Sequence, residues 1–190
     1  MDQQAKQDQQ PKQQAQRNVQ HGFDVAAIRQ AAAKLEDGAV TEGYAADREA
    51  VIKMLNDALA TELLCVLRYK RHYYTVSGRA NAGVKAEFLQ HAIEEQGHAD
   101  SLAERIVQLN GEPDFNPATL TARSHAEYDE STDVNAMVRA NLIAERVAIE
   151  SYRQMIDAIG HTDPTTRALL ISIMAVEEEH ADDMADLLTK

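Results

Sequence analysis

The 190-residue sequence predicts an all-α protein: a four-helix bundle of two antiparallel helical hairpins with one long crossover, plus a short N-terminal helix. Three observations carry that prediction. Gly (8) and Pro (4) are scarce, while the strong helix formers Ala, Leu, Glu and Gln abound. Four long stretches repeat apolar residues in steps of three and four, the period of a helix that buries one face. Tight turns join the first stretch to the second and the third to the fourth, and a longer link separates the two pairs.

Residues 1–21 are rich in Gln, Lys and Asp and are expected to form a disordered tail. Lys6, Lys12 and Arg17 nearly balance Asp2 and Asp8, which favours a plain solvated tail over a DNA-binding arm. Residues 22–46 read as a short helix and linker. Its apolar face is Val25, Ile28, Ala32 and Leu35, running from Asp24 to Asp37 and ended by Gly38. It is expected to lie outside the bundle or against a neighbouring subunit.

Residues 47–190 form the bundle itself. The first helix is expected from about Asp47 to Ser77, stopped near Gly78, and the second from about Asn81 to Leu109, stopped by Asn110-Gly111. The third runs from about Thr132 to Ile159, before Gly160. The fourth runs from about Pro164 to Leu188, with Asp163 as N-cap and Pro164 at the first helical position. The link from Gly111 to Ser131, containing Pro113 and Pro117, is long enough to travel the length of the bundle.

The formal charge of -12 argues against general nucleic-acid binding, because phosphate affinity rests on Lys and Arg. Cys65 is the one cysteine, so no disulfide forms within a chain and a reducing, cytoplasmic location is expected. No run of about 18 apolar residues suggests a membrane span. The N-terminus shows no apolar signal core, so export is not expected.

The informative residues interrupt the apolar stripes. In the first helix the stripe reads Leu55, Leu59, Glu62, Val66, Tyr69, Tyr73, Val76, and in the second Phe88, Ala92, Glu95, Ala99, Leu102, Ile106, Leu109. The third gives Val138, Leu142, Glu145, Ile149, Tyr152, Ile156, Ile159, and the fourth Leu170, Ile173, Glu177, His180, Met184, Leu187. Each has one glutamate in the middle of its inward face, where an unpaired carboxylate costs several kcal/mol. The halves repeat: Glu62 precedes Glu95 by 33 positions and Glu145 precedes Glu177 by 32, with His98 and His180 three residues on.

Counted from the turns, all six side chains fall at one level. Glu62 is 15 residues before Ser77 and Glu95 is 14 after Asn81; Glu145 is 15 before Gly160 and Glu177 is 14 after Asp163. That places them about 20 Å from the turn at about 1.5 Å per residue. Four carboxylates balance two divalent cations, making a neutral buried assembly. Oxygen and imidazole ligands without thiolate suit Fe or Mn, and Zn is also compatible. A lone Glu-x-x-His is more often a surface pair than a ligand set. Two copies, each with an upstream Glu on an apolar stripe, point to a dinuclear metal site.

The residues Leu55-Asn56-x-x-Leu59-x-x-Glu62-Leu63, Tyr69, Glu95-x-x-His98-Ala99-Asp100, Glu104-Arg105-Ile106, Gly111-Glu112-Pro113 and Glu177-Glu178-x-His180 resemble the ferritin-like diiron family, bacterioferritin above all. The resemblance runs from about Asp47 to Leu188. It implies two iron ions per subunit, with Glu62 and His98 terminal on one, Glu145 and His180 terminal on the other, and Glu95 and Glu177 bridging. It also implies a role for Tyr69 as hydrogen-bond partner or electron donor beside the site, with a core aromatic as the alternative; Tyr152 is expected to be structural. Bacterioferritin carries a haem-ligating Met directly after the first bridging Glu; that position is Gln96 here, so no haem is expected.

Ten residues follow His180, too few for the fifth helix of the 24-subunit cages, so a 12-subunit shell like that of Dps-like proteins is the favoured assembly. Certain Dps-like proteins with an intrasubunit site carry paired cysteines beside it, a pair that Cys65 alone cannot reproduce. The favoured function is a ferroxidase that oxidises Fe(II) with O2 or H2O2 and stores or detoxifies the product. The alternatives are a diiron or dimanganese redox enzyme of peroxidase or catalase type, and a DNA-protecting shell.

Overall fold

The computed structural model describes residues 19–20 and 22–189, so all of the Gln-rich segment 1–21 except Val19 and Gln20 lies outside the described residues. The chain forms two compact units, one up to Tyr44 and one from Ala45 onward.

In the first unit, β1 (Val19–Gln20) pairs antiparallel with β2 (Phe23–Asp24) around Gly22, whose φ of 85° suits a residue without a side chain. Val19 and Gln20, expected in the tail, are thus paired backbone. Helix α1 (Val25–Ala31) follows, with the Asp24 carboxylate accepting from the backbone N–H groups of Ala26 and Ala27 at 3.1 Å each. It ends earlier than the apolar repeat to Asp37 predicts. Ala33 and Lys34 already make three-residue turn bonds, to Gln30 and Ala31. No residue of α1 is buried, and a short helix without a buried face has little to hold its later turns.

In the second unit, α2 (Arg48–Thr75) and α3 (Ala82–Gln108) form one hairpin, closed by Gly78 at φ 93° and a 3-10 turn over Arg79–Asn81. A short helix, α4 (Leu120–Arg123), lies in the crossover. Helices α5 (Val134–Ile159) and α6 (Pro164–Thr189) form the second hairpin, turning at Gly160 with φ 56°. Asp47, Asp133 and Asp163 cap α2, α5 and α6 by accepting from the N–H groups of Ala50, Ala136 and Thr166. The four long helices match the expected boundaries to within about two residues, the ordinary fraying at helix ends.

The crossover runs along α2 from one end to the other, held by that helix's polar edge. Asn56 bonds Glu112 O and the Asp114 N–H, Thr61 Oγ1 accepts from the His125 N–H, and Arg71 donates to Glu130 O and Ser131 O. At the far end of α3, Arg105 clamps the start of α6. Its Nε donates to Thr166 Oγ1 at 2.8 Å and its Nη2 to both Asp163 oxygens at 3.0 and 3.1 Å. Between these belts the core is apolar on both sides of the central glutamates. Leu55, Leu59, Leu102, Ile106 and Leu170 pack on one side, and Phe88, Ala92, Met137, Val138 and Met184 on the other. Among the described residues no helix is long and apolar enough to cross a membrane.

Candidate metal centre

The bundle brings all six predicted side chains together. Glu62 comes from α2, Glu95 and His98 from α3, Glu145 from α5, and Glu177 and His180 from α6. The four glutamates and His180 are buried, and the His98 side chain is 12% exposed. His98 Nδ1 lies 2.9 Å from Glu177 Oε1, 3.4 Å from Glu95 Oε2 and 3.5 Å from Glu62 Oε2. His180 Nδ1 lies 3.5 Å from Glu177 Oε2, 3.8 Å from Glu95 Oε1 and 4.0 Å from Glu145 Oε2. Two donor sets result, Glu62-Glu95-His98-Glu177 and Glu95-Glu145-Glu177-His180, each with ligand atoms within 4.8 Å of one another. They share Glu95 and Glu177.

These atoms are poorly satisfied by the protein itself. Glu62 Oε2, Glu95 Oε1, Glu145 Oε2, both Glu177 oxygens and His180 Nδ1 are buried without a hydrogen bond of acceptable geometry. Orphaned buried acceptors are costly and need an explanation. Burial and the surrounding carboxylates push Glu95 well above the usual carboxylate range. Burial, reinforced by Glu177, pushes Glu145 up to about 8. Burial also opposes ionisation of Glu177, but the adjoining His180 and His98 rings outweigh it and hold that carboxyl down at about 2. Both imidazoles resist their own burial because carboxylates face them. His98 rises to about 10 beside Glu177 and Glu62, and His180 to about 9 beside Glu177 and Glu145. The metal-free pocket therefore holds protons where divalent cations would supply the same positive charge. Oxygen-rich donors with one imidazole per set fit iron or manganese.

The two tyrosines cross over. The Tyr69 hydroxyl donates to Glu145 Oε1, and the Tyr152 hydroxyl donates to Glu62 Oε1. Each thus holds the carboxylate of the opposite hairpin. Tyr152, expected to be structural, places its hydroxyl on one of the candidate ligands. The signal was present in the sequence, since Tyr152 follows Glu145 by the same seven positions as Tyr69 follows Glu62.

Other neighbours escaped the sequence reading. Arg68 is fully buried, with Nη2 3.9 Å from Glu145 Oε1 and Nε donating to Asn141 Oδ1 at 2.8 Å. Asn141 in turn donates to His72 Nδ1, and His72 Nε2 reaches Asp129 Oδ2 at 3.1 Å. Nothing local distinguishes a buried Arg on a long helix from a solvated one. Glu94 bonds His180 Nε2 at 2.9 Å and so fixes the ring with Nδ1 toward the glutamates. His91 stacks on His180 with centroids 4.0 Å apart, and its position one turn before Glu95 was a legible hint. Cys65 is buried with its sulfur 3.4 Å from Arg68 Nη2; burial pushes the thiol far up, so it stays neutral.

A family model described as the ferritin-like domain matches residues 52–190. The chain belongs to the ferritin-like family. Among curated relatives of this ferritin-like chain, a bacterioferritin from Brucella melitensis is 32% identical over 146 residues, covering 74% of this chain and 85% of its own. A DNA protection during starvation protein from Pyrococcus furiosus is 28% identical, covering 75% of this chain and 79% of its own. Among solved structures, a dodecameric thioferritin, the bacterioferritin-related protein of Bacteroides fragilis, superposes with a TM-score of 0.73. It is 34% identical over 76% of this ferritin-like chain and 88% of its own.

Proposed function

We propose that this ferritin-like protein is a ferroxidase of the cytoplasm that binds two Fe(II) per subunit and passes the oxidised iron to storage or detoxification within a hollow homo-oligomer. The observation that carries the reading is the pair of donor sets sharing Glu95 and Glu177. One residue pair in common holds two cations close enough to give up one electron each in concert. Two Fe(II) and one O2 with two protons yield two Fe(III) and H2O2; with H2O2 as oxidant and two protons the products are two Fe(III) and two waters. Glu62 and His98 are the terminal ligands on one side, Glu145 and His180 on the other. Tyr69 and Tyr152 keep the terminal carboxylates aimed inward, and Glu94 sets the His180 tautomer. No haem is part of the reading, because Gln96 stands where a haem-ligating Met would follow the first bridging glutamate.

The test is aerobic addition of Fe(II) at many equivalents per subunit. Uptake far beyond two irons, with rapid oxidation, is the expected result. Uptake that stops at about two favours a retained cofactor in a peroxidase- or catalase-like redox enzyme instead. Glu95→Ala removes an oxygen from both sets and is expected to abolish the fast oxidation phase in stopped-flow absorbance. Unchanged rates would remove Glu95 from the site. Gel shift at low salt with and without residues 1–20 tests the DNA-protecting alternative; no shift is expected.

A further inference from the structure

We propose that Glu87, His91 and Asp183 bind a third divalent cation, beside the dinuclear centre and hydrogen-bonded to it through Tyr69. The His91 ring is buried, with its side chain 1% exposed, yet its Nε2 has no hydrogen bond of acceptable geometry. That nitrogen faces two carboxylates, Asp183 Oδ2 at 3.5 Å and Glu87 Oε2 at 4.0 Å. The other nitrogen decides what Nε2 carries. The Tyr69 hydroxyl spends its proton on Glu145 Oε1, so toward His91 Nδ1, 3.2 Å away, it offers only a lone pair. In the Nδ1–H tautomer His91 donates to the Tyr69 oxygen and turns a bare Nε2 lone pair toward the two carboxylates, as a metal-binding imidazole does. Three acceptors converging without a donor repel one another; a cation between them turns that repulsion into coordination.

The helices supply the convergence. Glu87 and His91 are four residues apart on α3, so they share a face, and Asp183 stands on α6 three residues after His180. Their ligand atoms lie within 4.8 Å of one another. One imidazole and two carboxylates neutralise a +2 ion and, without thiolate, suit a first-row divalent metal such as Fe(II), Mn(II) or Zn(II). Glu87 and Asp183 are 39% and 48% exposed, so water completes the coordination and the ion exchanges with solvent. Binding here is expected to be weaker than at the buried centre. The Tyr69 link rests on the dinuclear reading; the site itself does not.

Redox-silent Zn(II) added to the full-length protein provides the test, read by calorimetric stoichiometry and by anomalous scattering from zinc-soaked crystals. About three zinc ions per chain are expected, one of them against His91 Nε2, falling to about two in the Glu87→Gln/Asp183→Asn double variant. Both substitutions are at half-exposed positions, and the anomalous map of the unmodified protein gives an answer that does not depend on them. Zinc at the centre but none at His91 overturns the proposal, as does a third ion that survives in the double variant. Zinc at His91 with none among Glu62, Glu95, Glu145 and Glu177 would instead sink the dinuclear reading and leave this site standing.

Discussion

Tyr69 and Tyr152 each hold a glutamate that their own helix does not carry, and this exchange orients the Glu145 and Glu62 carboxylates. A phenol buried against a carboxylate loses its bond on substitution by Phe and leaves one oxygen unpaired, at a cost of about 1–3 kcal/mol. Tyr152→Phe is therefore expected to weaken metal binding by roughly tenfold or more, measured by competition with a chelator, because partners of a metal ligand typically carry such an effect. Affinity unchanged in that variant would return Tyr152 to a purely structural role. Protonation makes a second prediction at this scale. His98 at about 10, His180 at about 9 and Glu145 at about 8 hold protons at neutral pH without metal, and burial among carboxylates shifts Glu95 in the same direction. Binding two Zn(II) at pH 7 should release protons from these groups, and affinity should rise with pH. A pH-stat titration that finds no release would contradict it.

At the scale of elements, two junctions at one end of the bundle are fixed by different chemistry. Where α3 gives way to the crossover, a Cβ on Gly111 would stand 2.8 Å from Ile52 Cγ2 and 3.0 Å from Ile106 Cγ2. Gly111→Ala should cost about 1–3 kcal/mol of stability, because two branched side chains must shift in a packed core. Chemical denaturation with an unchanged midpoint would count against that packing. Where α6 begins, Asp163 both caps the helix and receives the Arg105 fork. Asp163→Ala strips the cap and leaves a nearly buried guanidinium without its carboxylate, for an expected loss of about 3–5 kcal/mol.

At the scale of the whole molecule, protons and metal compete to stabilise one fold. Glu145 binds its proton more tightly folded than unfolded, with its pKa raised from 4.5 to about 8. The folded metal-free state thus holds the extra proton between those values, and stability falls as pH rises across that window. His98 and His180, raised from 6.5 to about 10 and about 9, extend the same decline upward. Below about pH 4.5 the depressed Glu177 acts in the opposite sense. The melting temperature of metal-free protein should drop from about pH 5 to 9, and metal should flatten the slope, as calorimetry can check. Outward-facing Leu67, Tyr74, Ile93 and Ile143 are exposed in the single chain. In a hollow shell they are available for contacts between subunits, and the native mass is expected near twelve times the 21.0 kDa subunit.

The four long helices, their pairing into hairpins and the level at which the six candidate ligands meet are legible in the sequence. Those properties follow from local rules: a 3.6-residue period, capping residues such as Asp163, and equal counts from each turn to Glu62, Glu95, Glu145 and Glu177. It overextended α1, whose apolar face is periodic but unburied. Which groups surround the candidate ligands is fixed by packing alone. Tyr152 reaches Glu62 from 90 positions away, Glu94 reaches His180 from 86, and Arg68 lies buried beside Glu145 on a different helix. Hydrogen-bond partners of that kind depend on the rotation of each helix about its axis and on which hairpin faces which. Spacing along one chain does not contain that information, because packing between helices sets it.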